Sequence, residues 1–272
     1  MSVWRVFTLT ALLLLLAACA SGAPDSGEAS MKRDPSQRVS KHQPLHRPTI
    51  ALVLGGGGVR GFAHVGAIQA LEEAGIDADL VVGTSVGSVV GALYAAGRSS
   101  QELLALAREV RTVEFADWTF RGNGILEGVA LERWIDRQVA SDSIENLPRQ
   151  YIAVATDLRT GATLEIDSGS VGFAVRASSS IPGVFRPARM GDDWLVDGGL
   201  TNILPVRVAR RHHPEVIIAV DVYCHERFRA PTSSAGVLTR SMQLQSCKLS
   251  EEDRRHYAED AGATKDEIQA IN

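Results

Sequence analysis

The stretch Leu80-Val-Val-Gly83-Thr84-Ser85-Val86-Gly87-Ser88 constrains this chain more than any other. An apolar run feeds straight into a serine with a glycine two positions away on each side. Val86 to Ala96 then continues as small and apolar residues, closed by Gly97. The order strand, serine, helix is that of a nucleophile elbow, a strained turn that holds a hydroxyl at the tip of a sheet with helix amides behind it. Gly83 and Gly87 suit that reading, because a Cβ at either position collides in tight strand-to-helix packing. The pentapeptide alone also fits an ordinary strand-to-helix turn, so the rest of the chain has to decide.

A second glycine-rich turn lies upstream. Residues 48–54 read as a buried strand, followed by Gly55-Gly56-Gly57-Gly58-Val59-Arg60-Gly61. An amphipathic helix over 62–74 comes next, with Phe62, Val65, Ile68 and Leu71 on one face and Gly75 as its stop. Amides left bare near a positive helix end suit either a phosphate or a developing oxyanion. Gly56-x-Gly58-x-x-Gly61 matches the dinucleotide fingerprint, but that motif needs an acid at the carboxyl end of the second strand. Here Asp77 and Asp79 precede that strand, its carboxyl end carries Ser85, and no Walker lysine follows the glycines. The oxyanion reading therefore stands ahead.

Helices are expected over 100–110 and 130–139, strands over 151–157 and 162–166 around the turn Arg159-Thr160-Gly161, and a short helix over 171–178. Trp118, Phe120, Ile125 and Leu126, in the loop between the first two, either line an apolar channel or pack beneath the loop. The run Trp194-Leu-Val-Asp197 reads as a strand entering Gly198-Gly199, which on its own is equally a hairpin turn. A helix starting at Pro205 and a buried strand over 216–222 complete an alternating α/β pattern. Ser85, Asp197 and one of His212, His213 or His225 satisfy the chain order of a Ser-His-Asp α/β-hydrolase triad. His64 reads as a helix residue packed near the glycine loop.

The 272 residues divide into three segments. Residues 1–19 carry an apolar run too short to span a bilayer, closing on Leu16-Ala-Ala-Cys19, the pattern of a lipoprotein signal in which Cys19 takes the lipid. An ordinary cleaved signal and an uncleaved anchor are the alternatives. Residues 20–47 are rich in Ser, Pro, Gly and charge, as in a flexible linker. Residues 48–272 form the folded domain. Lipidation at Cys19 would tether the domain to the bacterial envelope, at the outer membrane facing the periplasm, where Cys224 and Cys247 are free either to pair or to stay apart. A formal charge of −4 and scattered basic residues give no footprint for nucleic acid. No cofactor is expected, and no metal, since no His/Cys/carboxylate cluster has ligand spacing.

Taken together, the Gly55–Gly61 run, Gly83-x-Ser85-x-Gly87, Ser178-Ser-Ser-Ile-Pro182-Gly-Val-Phe185 and Asp197-Gly198-Gly199, in this order, resemble the patatin-like phospholipase family and its small bacterial members. The likeness runs over about 48–222 and fades beyond Tyr223. It implies a three-layer α/β/α sandwich with a mainly parallel central sheet. It also implies an acyl-ester hydrolase acting on membrane lipid, of phospholipase A or lysophospholipase type. On that resemblance Ser85 is the nucleophile, Asp197 its base, and the amides of Gly55, Gly56, Gly57 and Gly58 with Val59 and Arg60 form the oxyanion hole. A surface lipoprotein that binds lipid without catalysis is the alternative of another class, and the intact Ser85 and Asp197 weigh against it.

Overall fold

The computed structural model of the chain describes residues 50–119, 124–141, 143–224, 230–260 and 270–271. The expected signal and linker segments, with Cys19, and Phe120 and His225 lie outside them.

Strand β1 (Ile50–Leu54) leads through a short 3-10 turn (Gly58–Gly61) into helix α1 (Phe62–Glu73), and β2 (Leu80–Thr84) leads through Ser85 into α2 (Val86–Ala95). Helices α3 (Ser100–Glu109) and α4 (Val129–Val139) follow, then β3 (Gln150–Asp157), β4 (Thr163–Ile166) and α5 (Val171–Ser178). The chain continues through β5 (Ala188–Met190), β6 (Asp193–Asp197), α6 (Val206–Arg210), β7 (Val216–Val220), α7 (Ser234–Asp260) and β8 (Ala270–Ile271). Helix α3 shows why such elements start where they do. The Ser99 hydroxyl accepts from the Glu102 amide while the Glu102 carboxylate accepts from the Ser99 amide, a capping box contributing about 1 kcal/mol.

The strands form one sheet in the order β5-β6-β3-β2-β1-β7-β8, with β4 also pairing with β3. Strands β3, β2, β1, β7 and β8 run parallel, whereas β4 and β6 lie antiparallel to β3 and β5 antiparallel to β6. Alternation along the central strands fills both faces. Leu52, Leu54, Val81, Tyr151 and Ala153 pack with α1 to α5, while Ala51, Val53, Val82, Ile152 and Val154 pack with Ile203, Leu204 and α6. This is the α/β fold expected, a central sheet with helices on both faces. Chain order reverses at β1, with β2 on one side and β7 on the other, and sites in open α/β sheets form at the carboxyl ends beside such a reversal.

Two differences from the sequence expectation have local causes. Strand β7 stops at Val220 rather than 222, because the Asp221 carboxylate accepts the amides of Tyr223 and Cys224 and turns the chain. The hairpin β5–β6 is longer than the one strand expected and folds around Gly191 at φ 63°. Beyond Tyr223, where the resemblance fades, α7 lies against the domain, and Cys224 and Cys247 are joined by a disulfide.

Candidate active site

The turn after β2 has the geometry of an elbow. Ser85 holds φ 53° and ψ −124°, a conformation that costs an L-residue of order 1–3 kcal/mol unless its surroundings impose it. They do so at several points. A Cβ at Gly83 would run into the Gly87 carbonyl, and one at Gly87 into the carbonyl of Leu54, so β1, β2 and α2 touch backbone to backbone. The Ser85 amide donates to Ser178 Oγ (2.9 Å), whose own proton goes to the Val154 carbonyl (2.6 Å). The Ser85 carbonyl accepts from the amides of Ser88 and Val89 and from the Ser88 hydroxyl.

Asp197 arrives from the antiparallel side of the sheet, at the end of β6. Ser85 Oγ donates to its Oδ2 at 2.6 Å, and the Gly199 amide donates to its Oδ1 at 2.7 Å. The Asp197 amide donates to the Ser180 carbonyl (2.9 Å), and its carbonyl accepts from Thr156 Oγ1 (3.0 Å). Both members of the pair are 7% exposed. Burial pushes the Asp197 carboxyl up to about 6, against the hydrogen bonds from Ser85 and Gly199 that favour its charged form. A carboxylate so tuned is a useful proton acceptor near neutral pH, which one in the ordinary range is not.

The glycine loop divides its amides. Gly55 donates to the Val220 carbonyl (3.0 Å), Gly56 to that of Ile203 (2.9 Å) and Arg60 to that of Gly57 (3.2 Å). These three are therefore not available to an oxyanion, which corrects the wider set of six. Gly57, Gly58 and Val59 keep amides with no hydrogen-bond partner among the described residues, and Gly58 and Val59 share a cavity wall with Ser85. His64 is fully buried beneath the loop and donates from Nε2 to the Gly55 carbonyl (2.7 Å). Burial lowers its pKa to about 4, so it is neutral at physiological pH. It braces the loop as a neutral donor.

That cavity has a volume of about 360 Å³ and begins at Ser85. It runs between α1, α2, α3 and α4, walled by side chains such as Val65, Val90, Leu103, Leu106, Phe115 and Trp134. Of the four loop residues singled out, Trp118 and Ile125 do not line the cavity and are 67% and 49% exposed rather than packed beneath the loop, Leu126 is half-buried, and Phe120 lies outside the described residues. Phe62, expected on the buried face of α1, is instead 58% exposed and lies on the cavity wall.

Two of the three histidines offered by the triad reading, His212 and His213, lie elsewhere, and the third, His225, is outside the described residues. His212 and His213 come just before β7, at the amino end of the parallel strands, whereas Ser85 follows the carboxyl end of β2. At roughly 3.3 Å per residue, five-residue strands separate those ends by about 13 Å. His212 instead faces Glu165 at 3.8 Å. Among the described residues no group of His, Cys, Asp or Glu gathers to hold a metal ion.

Ser178 and Thr156 also shape the site, and nothing in the sequence signals their roles beyond the place of Ser178 in the Ser-Ser-Ser run. A hydroxyl that holds a backbone amide 93 residues away and donates to a carbonyl 24 residues away has no periodic signature.

Comparison with known proteins matches residues 52–210 to the family model described as patatin-like phospholipase. The chain is 40% identical over 202 residues to the human patatin-like phospholipase domain-containing protein 6, covering 69% of this chain and 15% of that protein. It is 37% identical over 192 residues to an uncharacterised NTE-family protein of Mycobacterium tuberculosis, covering 70% of this chain and 32% of that one. It therefore spans well under half the length of either relative. Among solved structures, VipD from Legionella pneumophila shares the fold at a TM-score of 0.50 and 14% identity, over 72% of this chain and 52% of that one.

Proposed function

Because the chain belongs to the patatin-like phospholipase family, we propose that it hydrolyses acyl esters of membrane lipids with Ser85 as nucleophile and Asp197 as its base. The observation that carries this reading is the 2.6 Å hydrogen bond from the Ser85 hydroxyl to a buried carboxylate, at the mouth of an apolar cavity.

Ser85 Oγ attacks the ester carbonyl carbon and its proton passes to Asp197 Oδ2. The negative charge that develops on the carbonyl oxygen meets the amides of Gly57, Gly58 and Val59, where each donor is worth about 10²–10³ in rate. Collapse of the tetrahedral species expels the alcohol, which takes the proton back from Asp197 and leaves the acyl group on Ser85. Water then attacks the acyl-enzyme and gives its proton to Asp197, and collapse of the second tetrahedral species releases the fatty acid as Ser85 Oγ takes that proton back. The acyl chain lies in the apolar cavity, which excludes water and offers it only van der Waals contact. Diacyl and lysophospholipids are the substrates whose acyl chain such an apolar slot accommodates. Lipid at Cys19 holds the domain at the envelope membrane, where those substrates are.

Ser85→Ala, which the elbow accommodates sterically, is expected to abolish release of p-nitrophenol from a short-chain ester and of fatty acid from phospholipid vesicles. Near-wild-type turnover by the purified variant refutes the assignment. Cys19→Ser is expected to move the protein out of the membrane fraction, and unchanged fractionation and mass refute the anchoring.

A further inference from the structure

Helix α7 is the element that neither the motifs nor the mechanism uses. Its described buried side chains are Gln243, Ser246 and Ser250, a polar stripe at helical spacing, while Val237 and Leu244 are exposed. A helix docked by its apolar face is held by burial worth about 1.5–3 kcal/mol per large side chain. Here polar contacts do the docking: Gln243 Nε2 donates to the Tyr223 carbonyl (2.8 Å), and Ser246 Oγ to the Gly199 carbonyl (2.6 Å).

Gly199 is the residue whose amide holds Asp197 Oδ1. It has no side chain to fix it, so its carbonyl and amide partners set where the amide points. Ser246 has one proton and two acceptors, since the Met242 carbonyl of its own helix lies 2.9 Å away. It can leave Gly199 without losing a hydrogen bond, so this contact alone does not hold the helix in place. The neighbouring residue, Cys247, is bonded to Cys224, and Val222, two residues before Cys224, packs against Gly57 of the glycine loop. The disulfide thus ties the two halves of the site together through α7.

We propose that Ser246 is a positioning residue for Asp197, that the Cys224–Cys247 disulfide keeps it there, and that reduction of this bond by a dithiol slows ester hydrolysis. In the exchange the Sγ–Sγ bond breaks, the two cysteines gain two electrons and two protons as thiols, and the dithiol is oxidised to its own disulfide. This rests on the Ser85–Asp197 reading.

The test compares oxidised wild type, wild type reduced with dithiothreitol and freed of it, Ser246→Ala and Ser246→Thr on a soluble ester. Ser246→Ala and the reduced protein are expected to lose kcat by about five- to tenfold, the weight of one hydrogen bond, with KM nearly constant. A looser Gly199 amide favours the charged carboxylate less, so the acid limb of the rate profile moves to higher pH. Ser246→Thr, which keeps the hydroxyl, restores both, and reducing Ser246→Ala adds little. The proposal is overturned if Ser246→Ala keeps the wild-type kcat and limb, or if it loses stability without moving the limb. The role of the disulfide is overturned if reduction slows Ser246→Ala as much as wild type. Carbon-13 titration of the Asp197 carboxyl, which needs no turnover, reads the same upward movement. An inactive wild type therefore counts against the catalytic reading, while this titration still decides the role of Ser246.

Discussion

Ser85 and Asp197 meet at 2.6 Å, yet the molecule delivers them by opposite means. Ser85 stands on the parallel half of the sheet, where β2, the elbow and α2 are contiguous in sequence and glycine packing leaves the backbone one path. Asp197 comes from the antiparallel side, where its position is assembled from β3, the end of α5, the turn at Gly199 and α7. Ser85 is held mainly by local glycine packing with one distant contact, from Ser178, and Asp197 mainly by contacts from distant parts of the chain. Errors on the serine side should therefore damage the fold, and errors on the aspartate side should damage the chemistry first.

On the aspartate side the largest effect should come from Asp197→Asn. Its amide can still accept from Gly199 and can donate to Ser85, so the geometry survives while the proton acceptor is lost. Turnover on a soluble ester should fall by about 10²–10⁴, the usual worth of a positioned base. Stability should move the other way. Folding raises the Asp197 carboxyl from 3.8 to about 6, so the native state binds this proton more tightly than the unfolded chain. Its contribution is present below pH 4 and is lost as pH rises through 6. At 1.36 kcal/mol per pKa unit, Asp197→Asn should be more stable than wild type by on the order of 3 kcal/mol at pH 7.5, with no difference below pH 4. Urea unfolding at the two pH values checks this, and a variant less stable at pH 7.5 contradicts it.

On the serine side, Gly87→Ala forces a Cβ into the Leu54 carbonyl, which has nowhere to go. A loss of stability of at least about 3 kcal/mol is expected, with activity lost only in proportion to the unfolded fraction. A folded, stable Gly87→Ala with reduced kcat would reverse the contrast between the two sides.

Much of this contrast could be read from the sequence, and where it could not the reason is physical. The elbow and the glycine loop declare themselves because apolar strand, glycines and helix lie within a dozen residues and each obeys a local steric rule. The element order, and the pairing of Ser85 with Asp197, followed from four motifs in sequence. Which amides of the Gly55–Arg60 loop stay open did not, because Val220 and Ile203 claim two of them from the far end of the chain. Helix α7 was silent for another reason. Its described docking face is polar, so it carries no apolar period, and its link to the site runs through one hydroxyl and one disulfide.

Smaller effects sharpen the comparison. Ser178→Ala removes the acceptor of the Ser85 amide and the donor to the Val154 carbonyl, which should cost kcat about tenfold through a misplaced elbow. An equal loss from Thr156→Val, which lies behind Asp197, would show that the two sides are held alike. His212→Ala and His213→Ala, at the opposite end of the sheet, should leave kcat within about tenfold. A loss as deep as that of Ser85→Ala, in a variant still folded by circular dichroism, would reinstate the triad.

The most direct test of a dyad is the dependence of kcat/KM on pH for an uncharged soluble ester. Activity should rise with a single proton's slope through about pH 6, the value of the buried Asp197 carboxyl, since the base must be ionised to accept the serine proton. That limb should persist unchanged when His212, His213 and His225 are each replaced by alanine. A limb near the ordinary carboxylate value of about 4, or one that vanishes with any of these histidines, would contradict Asp197 as the base.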